Sequence, residues 1–169
     1  MPALEQARAI RRIRLLLGIF VVGLVASGLT AFFLSWETRL LTAWFGEGTW
    51  SGGMFPGLAW WLAYARQGLE ASDRDYPFLA YGTDWLGFAH LVIAVAFWGP
   101  IRAPVRNVWV VEFGIIACLL VVPLALVCGP IRGIPLYWRL IDCSFGVLGL
   151  IPLVIVRKMI LGIAREEGQ

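Results

Sequence analysis

The sequence predicts an all-α, polytopic membrane protein, a four-transmembrane-helix bundle with an outer interfacial helix. Three observations predict it. Hydrophobic residues fill 60% of the 169 positions and charged residues only 15%, a balance that a water-soluble core of this size could not bury. The apolar residues gather into four spans near the ~20-residue length that a helix needs to cross a bilayer. Arginines and tryptophans, in turn, collect at the span ends, where charged and amphipathic groups reach the headgroup layer. Backbone groups in lipid must pair within their own segment, so the spans are helices, and their length and lack of alternation exclude a barrel. The expected organisation is a single membrane domain over residues 1–169.

The first span covers about residues 13–34 ("IRLLLGIFVVGLVASGLTAFFL") and follows Arg8, Arg11, Arg12 and Arg14. It exceeds the ~7–15 apolar residues of a secretory signal, which favours a retained helix. An outer segment follows, residues 36–83, with five acids and three arginines but also Trp44, Trp50, Trp60 and Trp61. Within it "PGLAWWLAYARQGLEASD" begins with Pro56, suited to a first helical turn. Its apolar residues Leu58, Trp61, Leu62, Ala65 and Leu69 recur at helical spacing. Too short to span, this helix is expected along the outer interface, with Arg66 and Glu70 as an i,i+4 pair, or as a lid over the bundle mouth. The second span covers about 78–98, with a start open between Phe78 and Asp84, and Thr83 and Asp84 as candidate start signals. The third covers about 108–128 and the fourth about 140–156.

With the N-terminus inside, the inner segments hold Arg8, Arg11, Arg12, Arg14, Arg102, Arg106, Arg157, Lys158 and Arg165, against Arg39, Arg66, Arg74, Arg132 and Arg139 outside. Cytoplasmic segments retain the positive residues, so both termini are expected to be cytoplasmic, in a bacterial inner (plasma) membrane. Trp36, Trp85, Trp98, Trp109 and Trp138 at the span ends fit the same picture. A net charge of +3 is explained by this asymmetry and implies no nucleic acid.

A Gly-Pro-Ile-Arg tetrapeptide occurs twice, from Gly99 and from Gly129. Each copy is followed by a Pro-containing turn and an acid in the next helix, Glu112 and Asp142. Gly and Pro just past a helix are stop signals, and the arginine there can reach phosphate headgroups. The copies are therefore expected to be independent turns on opposite faces, rather than an inverted repeat that builds one site.

Ionisable groups within hydrocarbon ask for a partner or a use. His90, the sole histidine, shares a helix face with Gly87 and Ala94; small residues imply a close helix neighbour, so the imidazole is expected to face the bundle and pair with Asp142. Asp84, His90, Arg139 and Asp142 form the candidate ligand-binding set in the outer half. Arg102 and Glu112 form a candidate polar pair on the inner side. The outer set either makes ion pairs, Arg139 with Asp142 or Asp84, or holds the head of an amphiphile against apolar walls. Cys118, Cys128 and Cys143 contain no CxxC pair; Cys128 and Cys143 lie near enough to a common turn for a disulfide, and buried thiols are the expected alternative.

No phosphate loop, nucleophile elbow, metal-ligand spacing or haem pair is present in the sequence, and no cofactor is named by it. The expected function is an accessory or scaffolding component of a membrane complex. Its expected partners are membrane lipids and other membrane subunits, met through apolar helix faces and the Trp-rich outer segment. The alternatives are a binding module for a lipid-like or quinone-like amphiphile in the outer-half pocket, and a membrane enzyme using His90 as acid or base.

Overall fold

The computed structural model describes residues 3–167. Among them every long element is an α-helix and no strand occurs. The helices are α1 (Ala3–Phe32), α2 (Leu34–Phe45), α3 (Trp50–Met54), α4 (Pro56–Asp75), α5 (Ala80–Ala96), α6 (Trp98–Arg102), α7 (Val108–Ile131) and α8 (Leu136–Glu167). Four stretches are long and apolar enough to cross a membrane: Leu4–Phe32, Pro77–Arg102, Val108–Ile131 and Leu136–Glu166. They coincide with the four expected spans, and they point to an integral membrane protein.

The helices outrun the apolar windows that announced them. α1 starts ten residues before Ile13 because Ala, Leu, Glu, Gln and Arg in "ALEQARAIRR" are strong helix formers that need no lipid. α8 likewise continues through "RKMILGIAREE" beyond the expected end at residue 156. The second span begins with a 3-10 turn at Pro77–Leu79 that leads into α5. Asp84 therefore lies inside the helix and is no start signal. Thr83 also does not cap: its hydroxyl donates backwards to the Ala80 carbonyl at 2.7 Å.

The chain divides into two compact units, Val25–Val92 and a larger one made of the residues up to Leu24 and from Ile93 onward. In the larger unit Ile13, Leu17, Phe97, Val110, Val111, Leu153, Val156, Ile160 and Ile163 form a continuous buried core. These come from the N-terminal parts of α1 and α7, the C-terminal half of α8 and the break between α5 and α6, so the core is concentrated at one end of the helices. Pro100 explains the break. It has no N–H for the Ala96 carbonyl and its ring crowds that carbonyl, so the helix stops at Ala96 and restarts at Trp98. Phe97, at the interruption, is fully buried, with the Phe20 ring 4.8 Å away.

α7 and α8 form an antiparallel hairpin whose turn is a Schellman motif. Gly133 takes φ +70°, and Ile134 N–H and Gly133 N–H donate to the Gly129 and Pro130 carbonyls at 2.9 and 3.1 Å. Glycines set the spacing of the hairpin. A Cβ on Gly146 would lie 2.6 Å from the Cys118 carbonyl oxygen, one on Gly149 3.0 Å from Cys118 Sγ, and one on Gly114 2.9 Å from Leu153 Cδ1. In lipid such close packing, rather than exclusion of water, holds helices together. All three cysteines are free; Cys143 is buried and Cys128 exposed.

The smaller unit contains a helical hairpin of α2 and α4, closed by the short α3. α2 falls in a stretch where no helix was expected, and its buried contact residue is polar: Thr38 is 8% exposed, its hydroxyl donating to the Leu34 and Ser35 carbonyls. α4 starts at Pro56 as expected and runs to Asp75. Ala59 and Leu62 are buried, with Leu58, Trp61, Ala65 and Leu69 half-buried beside them. Ser35 donates to Asp73 at 2.5 Å and Arg39 meets Glu70 at 3.4 Å, fixing the register. At the other end Ser51 donates to the Trp44 carbonyl, and Thr49 caps α3 by accepting from Gly52 N–H at 2.9 Å.

The expected Arg66–Glu70 pair is present at 2.9 Å. The Arg66 hydrogen bond holds the Glu70 carboxyl below its ordinary value of 4.5 against the opposing effect of desolvation, and the charges of Arg66 and Arg39 add to the lowering. A depressed folded value contributes stability above the unfolded value that disappears as pH falls through the folded one. Desolvation raises Glu37 instead, which gives the opposite sign: its protonated form favours the folded state, and that contribution fades as pH rises through its folded value. Lowering pH from about 6 to about 3 should therefore broaden the distance distribution between spin labels on α2 and α4 only below 4.5. Glu70→Gln should remove that acid-side change.

Candidate functional site

The smaller unit contributes Asp84 and His90, both half-buried on α5. Six residues of helix put them roughly 120° apart, with Gly87 between, so they do not share one face. Gly87 is buried where the end of α1 crosses α5. A Cβ on Gly87 would lie 2.8 Å from the Gly28 carbonyl oxygen, and one on Gly28 would lie 2.7 Å from His90 Cβ and 3.1 Å from the Gly87 carbonyl oxygen. The small-residue face foreseen around His90 is thus a glycine-to-glycine crossing, and Gly28 is its missing half.

His90 spends one ring nitrogen on its own helix. Nδ1 lies 2.8 Å from the Leu86 carbonyl oxygen, and a carbonyl only accepts, so the proton is on Nδ1. Hydrogen-bonding to its own preceding turn lets an imidazole lie at a helix crossing without a polar partner from a second helix. The partner of Nδ1 is thus a carbonyl of α5 itself. Nε2 keeps its lone pair in the neutral ring.

The larger unit contributes Arg139 and Asp142, one turn apart on α8 and both half-buried. The Arg139 stem lies across Gly129, where a Cβ would collide with Cδ and Cγ. Its Nε is buried without a hydrogen-bond partner. Arg139 and Asp142 form no ion pair with each other, although a cation near the C-terminus of α7 is favourably placed against the helix dipole.

Arg102 and Glu112 are separate. Arg102 lies over the Trp98 ring, 5.8 Å from its centroid. Glu112 accepts from Arg157 at 2.8 Å, with the two side chains 40% and 43% exposed. Arg157 is the residue that sequence reasoning missed. The signal existed in coarse form: in an antiparallel hairpin turned at Gly133, residues at similar distances from the turn come near each other, Gly149 against Cys118 and, a little past that register, Arg157 against Glu112.

The two Gly-Pro-Ile-Arg copies stand at opposite ends of α7, whose 24 residues measure roughly 36 Å. They do not share a structure. In the first copy Gly99 and Pro100 lie inside α6, where Asn107 Nδ2 donates to the Gly99 and Ala103 carbonyls at 3.2 and 3.0 Å, and Arg14 Nε donates to the Ile101 carbonyl at 3.0 Å. In the second copy Gly129 and Pro130 are the last turn of α7. The expected stop role of the tetrapeptide glycine belongs instead to Gly133, whose positive φ ends the helix.

Among the described residues no group of three or more His, Cys, Asp or Glu side chains is placed to hold a metal ion. The chain was compared with protein-family models, curated proteins and solved structures, and none matches.

Proposed function

We propose that the chain is an accessory or scaffolding component of a membrane complex, anchored by its four apolar helices in a bacterial inner membrane with both termini cytoplasmic. One observation carries this reading. The α2–α4 hairpin lies outside the four membrane-crossing stretches, yet it exposes Trp36, Trp44, Trp60 and Tyr64 to between 57% and 67% of their surface. The Trp60 and Tyr64 rings stack at 5.4 Å and 7°, giving a flat, rigid aromatic plate. Large amphipathic rings on a stable hairpin are the side chains that dominate protein interfaces. The apolar stripe of α4 is largely turned toward α2, so the aromatic plate is the surface that α4 leaves for a partner.

Native electrophoresis of gently solubilised membranes tests this. The wild-type chain should migrate far above the mass of the purified protein in the same detergent, and Trp44→Ser with Trp60→Ser should return it to the free position. Wild-type migration at the free position would refute the accessory role and leave the plate to the lipid headgroup layer.

A second reading is favoured by Arg139, whose buried Nε lacks a partner. A buried, unsatisfied guanidinium nitrogen beside Asp142 suits the anionic or carbonyl head of an amphiphile. An enzymatic use of His90 has the least support, because Nδ1 is engaged and only Nε2 could exchange protons.

A further inference from the structure

One face of α1 changes character partway along its length. Arg8, Arg11, Arg12 and Leu15, all on α1, border an open surface depression of about 420 Å³, in which Leu15 is 64% exposed. No hydrogen bond or ion pair links any of the three guanidinium groups to another described residue, whereas Arg14, on a different face, donates to Ile101. Beyond Leu15 the same face continues with Ile19 and Val22, which are 58% and 69% exposed. At 100° per residue all six positions fall within an arc of roughly 100°, opposite the buried Ile13 and Leu17. The rise from Arg12 to Val22 is about 15 Å, half the ~30 Å thickness of a bilayer's hydrocarbon.

We propose that this face is a binding site for one anionic phospholipid in the leaflet that meets the N-terminal part of α1. The phosphate sits among Arg8, Arg11 and Arg12, and an acyl chain lies along Leu15, Ile19 and Val22. Charge complementarity selects this occupant. Three guanidinium groups around one depression, none paired with another described residue, favour a phosphate without a compensating ammonium, and arginine offers it paired N–H donors. The apolar continuation is one leaflet deep, which a free phosphate or an acidic peptide would leave unused. Basic clefts at the membrane surface bind anionic headgroups by this combination of charge and adjoining apolar wall. The site is independent of the aromatic plate and of any complex the hairpin joins.

The test is native mass spectrometry of the purified full chain with added phosphatidylglycerol or phosphatidylcholine. Phosphatidylglycerol should be retained at least tenfold more strongly than phosphatidylcholine. Arg8→Gln/Arg11→Gln/Arg12→Gln should abolish that preference, and the charge-matched Arg106→Gln/Lys158→Gln/Arg165→Gln should keep it. Equal loss in both triple variants would mean diffuse attraction and overturn the proposal. Displacement of the lipid by millimolar inorganic phosphate would overturn it too, since the apolar stripe would then contribute nothing. If the Gln variant does not insert, Arg8→Lys/Arg11→Lys/Arg12→Lys preserves the inserted charge and should still weaken the preference, while Leu15→Ser with Ile19→Ser should weaken retention of both lipids. Unchanged retention in these two variants is likewise a refutation.

Discussion

Gly146→Ala should destabilise the protein, although alanine is the better helix former by about 1 kcal/mol. The added methyl would meet the Cys118 carbonyl oxygen at 2.6 Å and Val121 Cβ at 3.2 Å. The first obstacle is backbone, which no rotamer change can move, so α7 and α8 have to separate along the hairpin. Overpacking of this kind costs about 1–3 kcal/mol, and Gly146→Leu should lie at or beyond the upper end. Gly162 is the control, because it lies on the same helix and a Cβ there meets nothing within 4 Å. Gly162→Ala should therefore be neutral or stabilising. Reversible unfolding in mixed micelles reads both, and equal effects at the two glycines would show that the hairpin is not packed at Gly146.

At the crossing of α1 and α5 the expected result is non-additivity. Gly28 and Gly87 approach each other backbone to backbone, each carbonyl oxygen lying 2.8 or 3.1 Å from the other's missing Cβ. Either alanine substitution alone forces the helices apart, at a cost of about 1–3 kcal/mol. Once they are apart, the second methyl finds room already made. Gly28→Ala/Gly87→Ala should thus cost less than the sum of the singles, with a coupling of about 0.5–3 kcal/mol. Gly23 and Gly82, open within 4 Å, serve as matched controls. Strict additivity at Gly28 and Gly87 would remove the crossing, and with it the explanation for how His90 is packed.

The crossing also marks where sequence alone was informative. Gly87 drew attention because it shared a face with His90, and the inference of a close helix neighbour is met by Gly28. The four spans were legible because apolar length is a property of the chain by itself, as were the Pro56 start and the Arg66–Glu70 pair, which depend on local spacing only. α2 was not legible: its buried residue is Thr38, whose hydroxyl is satisfied inside the helix, so no apolar stripe announces the contact with α4. Glu112 and Arg157 are separated by 45 residues, and they meet only once the register of the α7–α8 hairpin is fixed by Gly133. The tetrapeptide misled for a related reason. Its glycines carry the composition of helix ends, but Gly99 and Gly129 lie beneath side chains, Asn107 and Arg139, that the following segment places over them. Of the candidate ligand set, sequence order supplied the residues, while their pairwise facing on α5 and α8 depended on helical phase.

α1 and α8 contain 30 and 32 residues without interruption, about 45 and 48 Å of helix, against roughly 30 Å of hydrocarbon. Each is therefore a lever with its longer arm in lipid and a stiff shorter arm outside it. A tilt of a few degrees within the bilayer is carried toward the far end as lateral displacement, and in α8 Pro152, which has no N–H for the helical ladder, is the place where the rod can bend. Whatever mechanical work a neighbouring molecule does on the apolar arm would be read out at Arg8 and Arg165, near the tips of the two rods.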